Sequence, residues 1–188
     1  MSRLISALSS VIGHQKKFLV GGIIWLITLP CHALPSEASL QTAFIYNFIK
    51  FIDWPTTVPA MPLRLCVLGA NKEMREALDQ LDGKIVNKKA IEITYFISET
   101  AAAAALESCQ MVYQPGRSTF TLPQPLPKGV VLVANDPDQK NLNVSIALLR
   151  NKEGRIEFSI NQAAVLHSGV QMSSQLLKLA TSARGGKD

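Results

Sequence analysis

The chain has 188 residues, 47% of them hydrophobic, with 19 basic and 14 acidic side chains and a formal net charge of +5. Three basic residues, Arg3, Lys16 and Lys17, lie within residues 1–33, which contain no acid, so the remainder carries only 16 − 14 = +2. So small an excess gives no basis for a nucleic-acid footprint, which needs a clustered basic face, and a single histidine, His167, after residue 33 argues against a zinc site, which draws on several His or Cys ligands.

After the basic segment comes a short apolar run, FLVGGIIWLITLP, from Phe18 to Pro30, then Cys31, His32 and Ala33. A basic n-region, an apolar h-region and a small residue before the cut predict a secretory signal peptide, residues 1–33, cleaved after Ala33. The run is 13 residues long, shorter than the ~20 that span a bilayer. A lipidated Cys31 would want a small, flexible neighbour where Pro30 stands. Residues 34–188 then form a single domain of 188 − 33 = 155 residues, exported to the oxidising periplasm of a two-membraned bacterium. It keeps two cysteines, Cys66 and Cys109. An even count in an exported chain points to a disulfide, with two buried free thiols as the alternative.

Ser36 is a good N-cap, and Glu37 suits the first turn of a helix. From there Leu40, Phe44, Phe48 and Phe51 recur at helical spacing, with Ile45, Ile49 and Ile52 one residue over. Two adjacent rows predict a helix with a broad apolar face, stopped at Trp54 because Pro55 disfavours the helical region for its predecessor. Tyr46, Asn47, Lys50 and Asp53 fall on the remaining side. They are the candidate surface for a partner or a second subunit.

Residues 63–68 (LRLCVL) predict a strand entering a turn at Gly69, with Asn71 capping a helix over 72–81. Lys84, Lys88 and Lys89 make a local basic loop, expected as a solvated turn. A second strand spans 91–97, and an alanine-rich helix 99–108. A third short strand begins at Met111, and the Pro-rich LPQPLPKG, expected to arc across one end of the sheet, leads to a fourth at 130–134. Residues 144–149 and 155–160 flank Asn151-Lys152-Glu153-Gly154, a β-hairpin pattern. A helical turn at 163–166, Gly169, and a last helix capped by Ser173 or Ser174 and carrying Leu176 to Ala183 complete the chain. This order predicts an α/β fold: a mostly parallel central sheet flanked by helices, with an antiparallel C-terminal hairpin at the sheet edge.

Chemistry is sparse. The turn at Gly69-Ala70-Asn71 lacks the three glycines of a dinucleotide fingerprint. His167 has no nucleophile elbow beside it and suits the end of a short helix, where positive charge is welcome. Asp136 and Asp138 in ANDPDQ read as a turn formula, without a third cation ligand nearby. No catalytic residue, metal site or cofactor is implied, and no enzyme is expected. A small-ligand pocket at the strand ends near Gly69 and Asn135 is the competing class.

Three strings nevertheless stand together: YNFIKFIDWP at 46–55, RLCVLG at 64–69, and FSINQAAVLHSGVQMSSQLLKLA at 158–180. The chain resembles the YfiR-like family of periplasmic proteins, whose members share a Tyr-Asn-Phe-x-Lys-Phe-x-x-Trp-Pro helix end. They also share Phe-x-Ile-Asn and a Ser-Ser-x-Leu-Leu-x-Leu-Ala helix. The resemblance implies a repressor, often dimeric, that binds the periplasmic sensor domain of an inner-membrane diguanylate cyclase. Holding that domain keeps cyclic di-GMP low and restrains biofilm formation. Cys66 and Cys109 match one family cysteine pair, and redox state is implicated in the family's activity. A second pair found near the hairpin in some relatives has no counterpart here, because residues 144–161 contain no Cys.

Overall fold

A computed structural model describes residues 35–55, 62–116, 120–137 and 143–180. The expected signal peptide with its expected cleavage point, Asp138 and Ala183 lie outside the described residues. Among the described residues no helix is long and apolar enough to cross a membrane.

Helix α1 (Glu37–Phe51) starts at Ser36, whose hydroxyl accepts the Ser39 N–H at 3.2 Å. It ends three residues before Trp54. Ile52–Asp53 leave the helix as a short strand, β1, paired antiparallel with Gln171–Met172, and the Ser173 N–H bonds to the Phe51 carbonyl at 2.9 Å. Proline restraint on Trp54 therefore explains the stop less well than the partner strand, which satisfies backbone groups that a longer helix would have left open.

The chain continues through β2 (Leu63–Leu68), α2 (Lys72–Leu78), β3 (Ile85–Val86), β4 (Lys89–Phe96), α3 (Glu99–Ala105), β5 (Met111–Gln114) and β6 (Val131–Asn135). It closes with β7 (Ile146–Arg150), β8 (Ile156–Ile160), α4 (Gln162–Ser168), β9 (Gln171–Met172) and α5 (Ser174–Leu179). One seven-stranded sheet runs β3-β4-β2-β5-β6-β7-β8, and β1 with β9 makes a separate ribbon. Strands β4, β2, β5, β6 and β7 are parallel, and β8 closes the far edge antiparallel to β7. The α/β class, the mostly parallel sheet and the C-terminal hairpin at its edge are therefore as expected. The expected solvated turn at the lysines is present at Asn87-Lys88, and it joins a second, unexpected antiparallel edge, where β3 pairs with the start of β4.

Two cores lie on opposite faces of the sheet. On one, Ile45, Phe48 and Ile49 of α1, with Met74 and Leu78 of α2 and Leu176 of α5, cover the inward residues of β2, β5, β6 and β7. On the other, α3 offers only Ala102, with Leu106 just beyond it, because an alanine helix has little to bury. The Pro-rich stretch fills the shortfall. Leu122 and Leu126 pack there against Cys66, Leu68, Val112 and Leu132, so this segment covers a face of the sheet rather than arching over one end.

The elements meet at Gln110, which is 4% exposed. Its side-chain oxygen accepts the Arg64 N–H at 2.7 Å, and its own N–H donates to the Arg64 carbonyl at 3.0 Å. Its carbonyl accepts the Val131 N–H and the indole N–H of Trp54, each at 3.0 Å. One residue thus ties the exit of α1 to the first residues of β2 and β6. Gln110→Ala leaves a buried backbone donor unpaired and is expected to cost about 1–3 kcal/mol. Trp54→Phe, which leaves the Gln110 carbonyl its Val131 partner, should cost less, and urea denaturation of both variants checks the order.

Candidate functional site

The expected surface of α1 depends on how the helix is rotated against the sheet. The buried side consists of Ala38, Gln41, Thr42, Ile45, Phe48 and Ile49. Leu40, expected on the apolar face, is 40% exposed. Gln41 takes the inward position because it has a buried partner: its side-chain oxygen accepts the Tyr113 hydroxyl proton at 2.8 Å. The Gln41 amide donates to Glu37 at 3.0 Å, and Glu37 pairs with Arg150 at the hairpin. A polar relay therefore runs from the middle of the sheet to its edge. Burial and the nearby Glu37 carboxylate push the Tyr113 hydroxyl well above the usual tyrosine range.

With α1 so rotated, Asn47, Lys50 and Asp53 are exposed, whereas Tyr46 is half-buried. The Lys84 ammonium sits 5.7 Å from the centre of the Tyr46 ring, and the Asn87 side-chain amide donates to the Lys50 carbonyl at 3.2 Å. The strip of α1 and the basic turn, far apart in sequence, form one surface. Periodicity alone carried no signal of that contact. The turn itself was legible: Asn87 and Lys88 between Ile85-Val86 and Lys89 have φ of 50° and 66°, the left-handed pair of a tight hairpin.

At the strand ends the chain itself comes close to the Gly69 turn. Read in chain order, the parallel strands lie 2-1-3-4-5, with the switch point between β2 and β5. There Gly69 has φ of 68°, and a Cβ added to it would meet the Phe120 ring at 3.1 Å. The Phe120 carbonyl accepts from Gln114 at the end of β5. A cleft of about 190 Å³ does exist, bordered by Leu126, Val130, Ser145, Ala164, His167 and Ser168. Val130 and Ser145 precede β6 and β7, so it lies at the opposite end of the strands from Gly69.

The string at 46–55 thus spans the last turns of α1 and β1, and that at 158–180 runs from β8 through α4 and β9 into α5, the two joined by the β1–β9 ladder. A family model described as YfiR/HmsC-like matches residues 38–181. The chain belongs to the YfiR/HmsC-like family. No curated protein matches it. Membership implies a periplasmic regulator.

In this YfiR/HmsC-like chain Cys66 and Cys109 are joined as a disulfide, with 5.9 Å between their Cα atoms. Both are at most 2% exposed, within the core under α3 and Leu122. The bond links the central strand β2 to the residue before Gln110, so it is a staple beneath the face rather than a thiol pair at the surface. His167 lies in the last turn of α4, its Nε2 3.1 Å from the Leu126 carbonyl, and Lys128 donates to its carbonyl. Asp136 sits in a turn, its N–H bonded to the Leu148 carbonyl at 2.8 Å. Among the described residues no three His, Cys, Asp or Glu are placed to hold a metal ion.

Two outcomes follow from these buried groups. The cross-link spans 43 residues, for which the chain-entropy model gives about 4 kcal/mol, so Cys66→Ser/Cys109→Ser should lose that much in urea denaturation. Because Tyr113 holds its proton more tightly when folded, stability is intact below pH 10.0, the ordinary tyrosine value, and falls above it as the unfolded chain ionises. At about pH 11 the loss due to Tyr113 is roughly 1.4 kcal/mol. The Tyr113→Phe variant should show a correspondingly shallower alkaline decline in its denaturation midpoint.

Proposed function

We propose that this protein is a periplasmic repressor that binds the periplasmic sensor domain of an inner-membrane diguanylate cyclase, lowering cyclic di-GMP and restraining biofilm formation. The family match over residues 38–181 carries the reading. Export follows from the signal segment at 1–33, cleaved after Ala33, and the buried disulfide suits an oxidising compartment.

Repression of this kind is a matter of differential affinity. By binding the inactive conformation of the cyclase more tightly, the repressor shifts the population by no more than the ratio of its two affinities. Asn47, Lys50 and Asp53, with the exposed part of Tyr46, form the surface we assign to the cyclase domain or to a second copy of the chain. The disulfide contributes by keeping the repressor folded, so its loss releases the cyclase through destabilisation. Phe120 lies against Gly69, and for that reason a small ligand at that turn is the weaker reading.

Affinity capture from envelope membranes tests the reading directly. Recovery of a membrane protein carrying a cyclase domain, together with a rise in cyclic di-GMP when the gene is deleted, is the expected result. Capture of a tightly held metabolite without any membrane protein, and unchanged cyclic di-GMP in the deletion, would overturn it. Asn47→Arg combined with Asp53→Arg, one introduced charge and one reversed, should weaken capture about tenfold or more, as mismatched charges at an interface do, with the denaturation midpoint unchanged.

A further inference from the structure

We propose that the sheet edge formed by β3, together with the end of α1, binds the surface of an anionic phospholipid bilayer. The fold brings four lysines to this edge: Lys50 from α1, Lys84 beside β3, Lys88 in the tight turn and Lys89 at the start of β4. Contacts fix their placement. Lys84 lies over the Tyr46 ring, and Asn87 donates to the Lys50 carbonyl. Among the described residues none of the four is in an ion pair, whereas Arg64, Lys72, Arg150 and Arg155 each face a carboxylate. On the elements that carry the lysines, Glu37 of α1 pairs with Arg150 and Glu92 of β4 with Arg64. Close by, Asp82 before β3 is engaged by the Ile93 N–H at 3.0 Å, and Asp53 is exposed on β1.

Four cations without an ion-pair partner among the described residues concentrate positive charge on this edge, where mutual repulsion is relieved by an anionic surface.

Residue type favours lipid over an acidic protein. All four cations are lysine, a flexible point charge that protein interfaces disfavour, whereas arginine supplies the fork that recognises individual carboxylates. Diffuse anionic headgroups need no fork. Ile85 is 74% exposed on the same outermost strand, an apolar side chain placed to enter the headgroup boundary while the lysines stay at its surface. Lysines on a short edge strand also discourage strand addition. That role accounts for Lys84 and Lys89 but not for Lys50 arriving from α1, and an exposed isoleucine works against it.

Sedimentation of the purified protein, as the cell produces it, with vesicles of phosphatidylglycerol and phosphatidylcholine tests the proposal. Binding is expected to anionic vesicles and not to phosphatidylcholine alone, and to fall at high ionic strength. Each lysine should be worth about fivefold, so Lys84→Glu/Lys88→Glu should weaken binding about twentyfold. Lys50→Glu, on a separate element, should weaken it at least about fivefold without touching the hairpin. Equal binding to neutral vesicles, or anionic binding unchanged in variants with native circular dichroism, overturns the proposal. So does absence of vesicle binding while Lys84→Glu/Lys88→Glu loses capture of the cyclase, which moves the hairpin lysines to a protein contact and leaves the repressor reading standing.

Discussion

The junction at Cys109-Gln110 holds the rest of the structure in register. Cys109 is bonded to the central strand β2, and Gln110 hydrogen-bonds both backbone groups of Arg64, the Val131 N–H and the Trp54 indole. Strand β5 is thereby placed beside β2 although about forty residues separate them, and β6 is placed beside β5. Parallel strands need such long connections, and closing them costs entropy before any pairing repays it. A covalent link and four hydrogen bonds at the point where three strands and the exit of α1 meet offset that cost where it is greatest.

From this junction the orientation of α1 follows. The indole bond of Trp54 anchors the segment after its C-terminus, and the β1–β9 ladder draws the C-terminal elements to the same place. At the other end, Tyr113 from the middle of β5 bonds Gln41, and Glu37 reaches Arg150. A helix held at both ends by polar contacts has one rotation about its axis, and a buried polar pair is costly to break on only one side. That rotation turns Leu40 outward, buries half of Tyr46 and presents Asn47, Lys50 and Asp53.

The open α/β sheet has the strand order of many ligand-binding folds, with a crevice at its switch point. Here Phe120 lies against Gly69, and Leu122 and Leu126 cover the face behind it. What the fold leaves exposed beside that sheet is a polar strip on α1 continuous with a lysine edge. Both depend on one contact region, where Lys84 meets Tyr46 and Asn87 meets the Lys50 carbonyl.

Much of this protein is determined by local sequence. Alternating strand–helix order specified the parallel sheet, Asn151 to Gly154 the hairpin, and Ser36 and Asn71 the starts of α1 and α2, because periods, caps and turns act over a few residues. The even cysteine count foretold a disulfide once export was read from the leader. What only tertiary structure decided are the features that join distant segments. Gln41 rather than Leu40 faces the core because Tyr113 waits there, and α1 stops at Phe51 because β9 offers a ladder. LPQPLPKG covers a face because α3 is too small to do so. The basic turn, dull as a string of lysines, becomes a surface only when α1 packs beside it. Periodicity reports which side of an element is apolar; which buried polar group meets a partner is set by neighbours the local sequence does not contain.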